Sequence, residues 1–376
     1  MTEARPKTEA RTFQTQRKVP GGKLVIVDGT VDDGLARDVV ISGDFFLEPE
    51  EAFATLGPAL EGVSLRDSKA DIAARLDAAF DTVYRELVEA GEDPLRPDLQ
   101  GVTTYDIAWA LKRGMAGATE FYDHEWEIIH DKVRPTRENV ALDEVLLREV
   151  AAGRRGPTVR FWEWEDKAAV IGSFQSFQNE IDAVGAQRHG VEVVRRISGG
   201  GAMFMEGGNC VTFSLYAPLS LVAGLDYEES YKFLDQWVLK ALSTMGVSAF
   251  YEPINDITSD KGKIGGAAQK RLAAGGGVIL HHDTMSYDID ADKMLEVLRV
   301  GKAKISDKGI RSAKKRVDPL RSQTGMPREE VIDTMIDAFR KTTGAELGEV
   351  TPDEVERARA LVAEKFGTEE WTHRVP

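Results

Sequence analysis

Arg195-Arg196-Ile197-Ser198-Gly199-Gly200-Gly201-Ala202-Met203-Phe204 closes a β-type run with a serine and three glycines behind paired arginines. Glycine lets the backbone come close to a ligand and turn its N–H groups inward, and arginine adds a planar, permanent charge suited to phosphate or carboxylate. The stretch reads as an anion cradle. For Ser-Gly-Gly-Gly taken alone, the competing interpretation is a glycine-rich hairpin turn with ordinary surface arginines. Neither G-x-x-x-x-G-K-[ST] nor G-x-G-x-x-G is present here, so the standard NTPase and dinucleotide-binding readings lose weight.

The chain around this loop has 376 residues, with 48 basic and 63 acidic side chains and a formal charge of -15. General nucleic-acid binders carry a basic excess, so that class is disfavoured. A single cysteine forms no intramolecular disulfide and builds no Cys-rich zinc or iron–sulfur site, which makes a reducing cytoplasm the expected compartment. Apolar runs such as Val278 to Leu280 fall far short of the roughly 18 to 20 residues of a membrane span. The opening MTEARPKTEARTFQTQRK lacks the apolar segment of a secretory signal.

Residues 1–19 are polar and are expected to form a disordered lead-in. Residues 20–115 combine two β-type runs around Asp32-Asp33-Gly34 with helical patterns at 67–91 and 103–115, the content of a small α+β domain. The charged, aromatic segment 116–137 gives no clean period and is expected to be a linker. In residues 138–376, strands such as VRFWEWED, AAVIGSF, NCVTFSLYAPL and GGVILHHDTMSYDID alternate with helices irregularly. That predicts an α+β fold with a mixed sheet rather than a doubly wound one.

Several motifs occur in an order that resembles the lipoate-protein ligase family, part of the wider biotin and lipoate ligase group. The glycine loop resembles that family's R-R-x-S-G-G-G-A-V-[FY]. ALDEVLLREV (141–150) and RFWEWEDKAAVIGSFQ (160–175) resemble the opening of its catalytic domain, NDITSDKGKIGGAAQKR (255–271) its lysine loop, and GGVILHHDTMSYDID (276–290) the strand that follows. KISDKGIRSAKKRV (304–317) resembles a later K-G-I-x-S-V-x-x-R-V stretch. The likeness covers about 136–375. LVIVDGTVDDGLARDVVISGDFFLEPEEAF and GVTTYDIAWAL resemble the accessory domain that usually follows the catalytic domain, so 20–115 would be that domain placed ahead of a catalytic 138–376.

The resemblance implies a two-step reaction: lipoate attacks the α-phosphate of ATP, and a lysine of an acceptor domain then attacks the acyl-adenylate. Both steps build negative charge that prepositioned donors must meet. Lys263 matches the family's essential lysine and would bridge carboxylate and phosphate. Arg196 is similar to its nucleotide-contacting arginine, and Gly201, Ala202, Met203 and Phe204 match the stretch lining ATP. Ser198, Gly199, Gly200, Asn209, Asn255, Asp256 and Gly266 complete the expected ATP or lipoyl-AMP site, with His282 and Lys263 at the lipoate pocket. Magnesium is expected to arrive with ATP; Asp256 is either one of its contacts or an ordinary turn carboxylate. Of the adjacent His281 and His282, strand alternation assigns one to the pocket and one to solvent, and zinc binding would need further ligands nearby.

Residues 301–316 carry seven basic side chains against Asp307, read as a solvated loop, a nucleic-acid patch or, by resemblance, a segment closing on the adenylate or meeting an acidic acceptor. Two departures from the family stand out: Met205-Glu206 follow the loop in place of a histidine and an acid, and Asp283 replaces the glycine of H-H-G-T. Both are expected to bear on acyl or acceptor selectivity. The rival readings are a cysteine-thioester octanoyl or lipoyl transferase and a non-catalytic acyl- or acceptor-binding paralogue. In one transferase group the nucleophilic cysteine falls where Phe250 stands, and Cys210 reads as a small core thiol. The G-R-G-R-x-G-R loop of biotin ligases is absent. Expected acceptors are an E2 subunit, a glycine-cleavage H protein or a specialised lipoate carrier.

Overall fold

The computed structural model describes residues 10–252, 254–299 and 317–375, so the basic stretch 301–316 lies outside the described residues. The chain divides into two compact units. The first runs up to Thr119 and includes Val222–Asp226, and the second comprises Glu120–Leu221 and the chain from Tyr227 onward.

In the first unit, β1 (Arg11–Lys18), β2 (Leu24–Asp32) and β3 (Leu35–Gly43) form an antiparallel sheet, and β4 (Phe46–Glu48) pairs with β5 (Asp98–Gln100). The β2–β3 turn uses positive φ at Asp33 (48°) and Gly34 (78°), the conformation that Asp-Gly favours. Capping boxes at Ser68/Asp71 and Thr103/Asp106 start the helices Lys69–Glu89 and Thr104–Ala116. Their apolar stripes, Ile72, Leu76 and Phe80 with Ile107 and Leu111, bury against Val25, Val27 and Ile41 of the sheet. The expected lead-in 1–19 is thus too long, because Arg11–Lys18 is a strand. Its polar alternation hides the fact: only Phe13 reaches the core, while Arg17 pairs with the buried Asp106 at 2.8 Å.

The second unit is mixed α+β. Its strands are β6 (Glu127–Arg134), β7 (Thr158–Trp164), β8 (Lys167–Ile171), β9 (Glu192–Arg195), β10 (Met203–Glu206), β11 (Cys210–Pro218), β12 (Ala249–Glu252), β13 (Asp256–Ser259), β14 (Gly262–Leu272), β15 (Val278–Ser286) and β16 (Glu346–Leu347). Eight of them form one sheet in the order β12-β13-β14-β15-β11-β7-β6-β16, and β10-β8-β9 form a second. The expected linker 116–137 therefore contains β6, paired in parallel with β7, and the start of the helix Thr136–Ala151. Charged residues fill buried positions of β6, where Arg134 pairs with Asp131 and Glu138, so no hydrophobic period marks it. Thr136–Ala151 packs on β11 and β15 from one side. Two helices, Tyr227–Leu234 and Gln236–Thr244, are separated by an interruption at Asp235, and Trp237 of the second packs on Phe161, Phe213 and Phe339.

Candidate active site

The glycine loop joins β9 to β10. Arg196 is 6% exposed and every one of its outer nitrogens is used: Nε donates to Ser198 Oγ (2.9 Å), Nη1 to the Val170 carbonyl (3.1 Å), and Nη2 to the carbonyls of Gly199 and Gly201. The guanidinium therefore sets the loop's curvature from within. Burial pushes its pKa down to about 10, which leaves it charged at neutral pH. Gly200 takes φ 87°, in the left-handed region that favours glycine, and a side chain on Gly172 would collide with its carbonyl oxygen. Arg195 does different work: fully buried, it donates to the carbonyls of Gly172, Gln175 and Thr372 and ties the C-terminal segment beneath the loop.

Ser198 continues the network. Its hydroxyl lies 2.7 Å from His282 Nε2, and His282 Nδ1 lies 2.9 Å from Asp143 Oδ2. Asp143 also accepts from Tyr216 Oη at 2.6 Å. Burial lowers the His282 pKa while Asp143 opposes, so the imidazole is neutral with its proton on Nδ1 and accepts from Ser198. Asp143, His282, Ser198 and Arg196 thus form one chain of side chains from the core helix to the glycine loop. Asp143 was not singled out in the sequence, where it is one of several acids in an amphipathic helix. No local signal distinguishes it.

Lys263 comes from the β13–β14 hairpin. Thr258 pairs with Lys263 and Ile257 with Gly265, so Ile264 is an extra residue on β14. A bulge of this kind re-aims neighbouring side chains. Lys263 Nζ stands 2.8 Å from Asp256 Oδ1, both about one-third to two-fifths exposed, and Asn255 Nδ2 holds the Ala267 carbonyl at 2.6 Å. A Cβ on Gly266 would stand 3.3 Å from Asp256 Oδ1 and 3.5 Å from Lys263 Nζ, so glycine there keeps the pair clear. Asp318 donates its backbone N–H to the Lys263 carbonyl at 2.9 Å.

Both halves face one pocket of about 960 Å³. Of the residues expected at the site, Arg196, Gly201, Ala202, Met203, Phe204, Asn255, Asp256, Lys263, Gly266 and His282 line it. Ser198, Gly199 and Gly200 are not among the lining residues: Ser198 is buried and bonds to Arg196 and His282, the Gly199 carbonyl accepts from Arg196, and Gly200 is exposed. Asn209 is not part of the lining: the residue sits in the β10–β11 turn, where its carbonyl accepts from Tyr287 and Asp288. Trp162, Trp164 and Val140, which the motifs did not single out, supply an apolar wall together with Met205. The pocket offers a cation and glycine backbone at one part and room for a hydrocarbon chain at another.

His281 is fully buried instead of solvated, paired with Asp235 at 2.6 Å. Met205 lines the pocket and receives a contact from Thr284 Oγ1 at 3.9 Å, whereas Asp283 lies on the other face of β15. Cys210 is fully buried beside Trp162 and Trp164, burial pushes its thiol up to about 12, and it does not line the pocket. Phe250 is half exposed on β12, opposite Thr258.

Residues 135–340 match the lipoyl protein ligase A/B catalytic domain. The chain is 26% identical over 283 residues to octanoyltransferase LipM of Halalkalibacterium halodurans, covering 66% of this chain and 99% of the relative. It is 29% identical over 245 residues to lipoate-protein ligase A subunit 1 of Thermoplasma acidophilum, covering 63% and 91%. Among solved structures it is similar to the bipartite lipoate protein ligase of T. acidophilum, described with its E2 lipoyl domain (TM-score 0.59, 28% identity, 67% of this chain and 97% of that one). It is also similar to a lipoate-protein ligase A bound with ATP (TM-score 0.58, 25% identity, 67% and 100%). The glycine loop, the lysine hairpin and the strand of His282 all fall within the matched residues, and the chain belongs to the lipoyl protein ligase A/B catalytic domain family.

Proposed function

We propose that the chain is an ATP-dependent lipoate-protein ligase, with the second unit catalytic and the first its accessory domain. The observation that carries this reading is Lys263, held beside Asp256 in a pocket with no thiol among its described lining residues. In the first step a lipoate carboxylate oxygen bonds to the α-phosphorus of ATP and pyrophosphate leaves. Lys263, as an ammonium, draws carboxylate and phosphate together and offsets the charge that builds on the equatorial oxygens. Gly201 to Phe204 line the pocket, where backbone N–H groups of this stretch would meet the same phosphate, and the tryptophan wall would exclude water from the adenylate. In the second step the acceptor lysine amine bonds to the acyl carbon, and AMP leaves with the electron pair of the broken C–O bond.

Among the described residues, the carboxylates lining the pocket are Glu180 and Asp256, and Asp256 is already engaged by Lys263. That donor set suits magnesium brought in on the nucleotide's phosphates, with Asp256 as a single added ligand. The ion would neutralise the pyrophosphate leaving group. A lipoyl domain is the proposed acceptor class, in line with the T. acidophilum ligase described with its E2 lipoyl domain.

The second reading is an octanoyl transferase, favoured by the relatives named octanoyltransferase LipM. It needs a nucleophile, and the high pKa and burial of Cys210 argue against that thiol. Lipoate-dependent exchange of labelled pyrophosphate into ATP separates the two. The wild type is expected to catalyse exchange and Lys263→Ala to lose it by about 100- to 1,000-fold. A wild type that shows no exchange with any acyl acid yet transfers octanoyl groups without ATP would replace the ligase reading with the transferase.

A further inference from the structure

Asp235, His281 and Asp283 meet inside the second unit, on the side of β15 away from the pocket. Strand alternation sends His282 and Thr284 into the pocket and His281 and Asp283 the other way. Asp235 sits at the interruption between Tyr227–Leu234 and Gln236–Thr244. It holds an N-cap position yet makes no side-chain cap bond, because its carboxylate is turned to His281 Nε2 at 2.6 Å. The three residues are at most 1% exposed, and one ligand atom from each lies within 4.8 Å of the others.

Asp283 is the unusual member. Its Oδ1 points at His281 Nε2 from 3.7 Å, and among the described residues neither carboxylate oxygen accepts from an N–H or O–H donor, its hydrogen-bonding neighbour being the second acid, Asp235. Among the described residues, the ion pairs of Asp235 and Asp283 are with His281 only. Two acids are therefore buried against one imidazole, which supplies at most a single positive charge. Two buried carboxylates that face each other with no donor between them are costly, so a missing cation or a shared proton must complete the cluster.

We infer that Asp235, His281 and Asp283 form a binding site for a divalent transition metal, with zinc the best chemical fit. Two carboxylates neutralise a doubly charged ion while His281 ligates in its neutral form. Zinc–ligand bonds of about 2.0 to 2.1 Å in a tetrahedron place donor atoms roughly 3.3 Å apart. The present separations from His281 Nε2, 2.6 Å and 3.7 Å, bracket that value, so small side-chain rotations suffice. A nitrogen donor and this few oxygens fit calcium or magnesium poorly. The hydroxyl of Tyr251, which donates to Asp235, or a water would take the fourth position.

Gln269 Nε2 lies 3.3 Å from His281 Nδ1. A metal on Nε2 moves the imidazole proton to Nδ1, and turning the Gln269 amide, at the loss of the bonds its oxygen accepts from Ser230 and Arg271, presents that oxygen to accept it. The site would clamp the helix interruption at Asp235 to β15, behind the strand that carries His282. Burial, followed by the charge of Asp235, pushes the Asp283 carboxyl well above its usual range, and burial raises Asp235 to about 7. A proton is thus the competing occupant.

The test uses the full chain, with zinc and cobalt(II) as probes. The wild type is expected to retain one equivalent of zinc through desalting, to show the visible absorption of four-coordinate cobalt after exchange, and to melt at a lower temperature once chelated. Asp283→Asn should weaken metal binding by at least about 100-fold, more than is usual for loss of an outer-shell group. Asp283→Gly, which removes the buried carboxylate altogether, serves as the second variant if the amide destabilises the fold. Substoichiometric zinc and no cobalt absorption in the wild type would overturn the proposal in favour of a shared proton. Equal affinity in wild type and either variant would overturn it by placing the metal elsewhere.

Discussion

Replacing Asp143 with asparagine keeps its shape but breaks the chain that ends on the glycine loop. The carboxylate accepts from Tyr216 Oη at 2.6 Å and from His282 Nδ1 at 2.9 Å. An amide can accept one of these and must present its own N–H₂ to the other. If the amide faces His282, the imidazole takes the opposite tautomer, and its Nε2–H then points at a Ser198 oxygen that already accepts from Arg196. The Ser198 hydroxyl proton is left without its acceptor in a fully buried position. One charge-assisted bond is lost, worth about 2 kcal/mol, and one buried donor is stranded at about 1 kcal/mol or more, so the expected cost is about 3 kcal/mol. At a urea dependence of roughly 2 kcal/mol per molar, the transition of the second unit moves down by about 1.5 M. Urea unfolding followed by tryptophan fluorescence reports this directly, because Trp126, Trp162, Trp164, Trp237 and Trp371 lie in that unit. Pyrophosphate exchange at low urea should show the Michaelis constant for ATP rising more than turnover falls, since the loop is loosened and Lys263 is untouched. An Asp143→Asn variant with an unaltered transition and unaltered exchange kinetics would refute the idea that this chain holds the loop.

Gly172→Ala should lower stability by about 1 to 3 kcal/mol through steric overpacking and slow exchange, because its methyl group meets the Gly200 carbonyl; thermal melting and exchange assays read both. Met205→Ala enlarges the apolar wall, so competition between fatty acids of different length should move toward longer or bulkier chains, and an unmoved preference would remove Met205 from the acyl site. Cys210 should resist thiol reagents in the folded protein even at pH 9. Burial holds the group as a neutral thiol up to about 12, whereas in denaturant the freed side chain should react as one equivalent. Cys210→Ser should accordingly leave acyl transfer intact.

Much of the site was legible in the sequence because its residues lie in short ordered motifs: the glycine loop, Asn255-Asp256, Lys263 and His282 converge on one pocket. What escaped was carried by residues whose local pattern is ordinary. Asp143 is one acid in a helix, and its partners Tyr216 and His282 are 73 and 139 residues away. Arg11–Lys18 and Glu127–Arg134 read as polar connecting chain because a lone Phe13 anchors the first and buried ion pairs replace apolar residues in the second. Strand alternation separated His281 from His282 correctly, but it could not reveal that helices cover the far side of the sheet and leave no solvent for His281. Arg196 and Arg195 were visible as charges. That they spend those charges on the protein's own carbonyls follows from packing alone.

β15 carries two separate chemistries on its two faces, with every residue from Val278 to Ser286 buried. Sliding this strand by one residue would exchange them, sending the carboxylate of Asp283 toward the tryptophan wall and His282 into the helices behind. Insertions and deletions are therefore forbidden along β15, while point substitutions are separable: on the pocket face Thr284 can be varied while His282 is kept as the link to the glycine loop, and His281 and Asp283 can be varied independently of them. An engineer can treat the strand as two addressable sets of positions sharing one backbone.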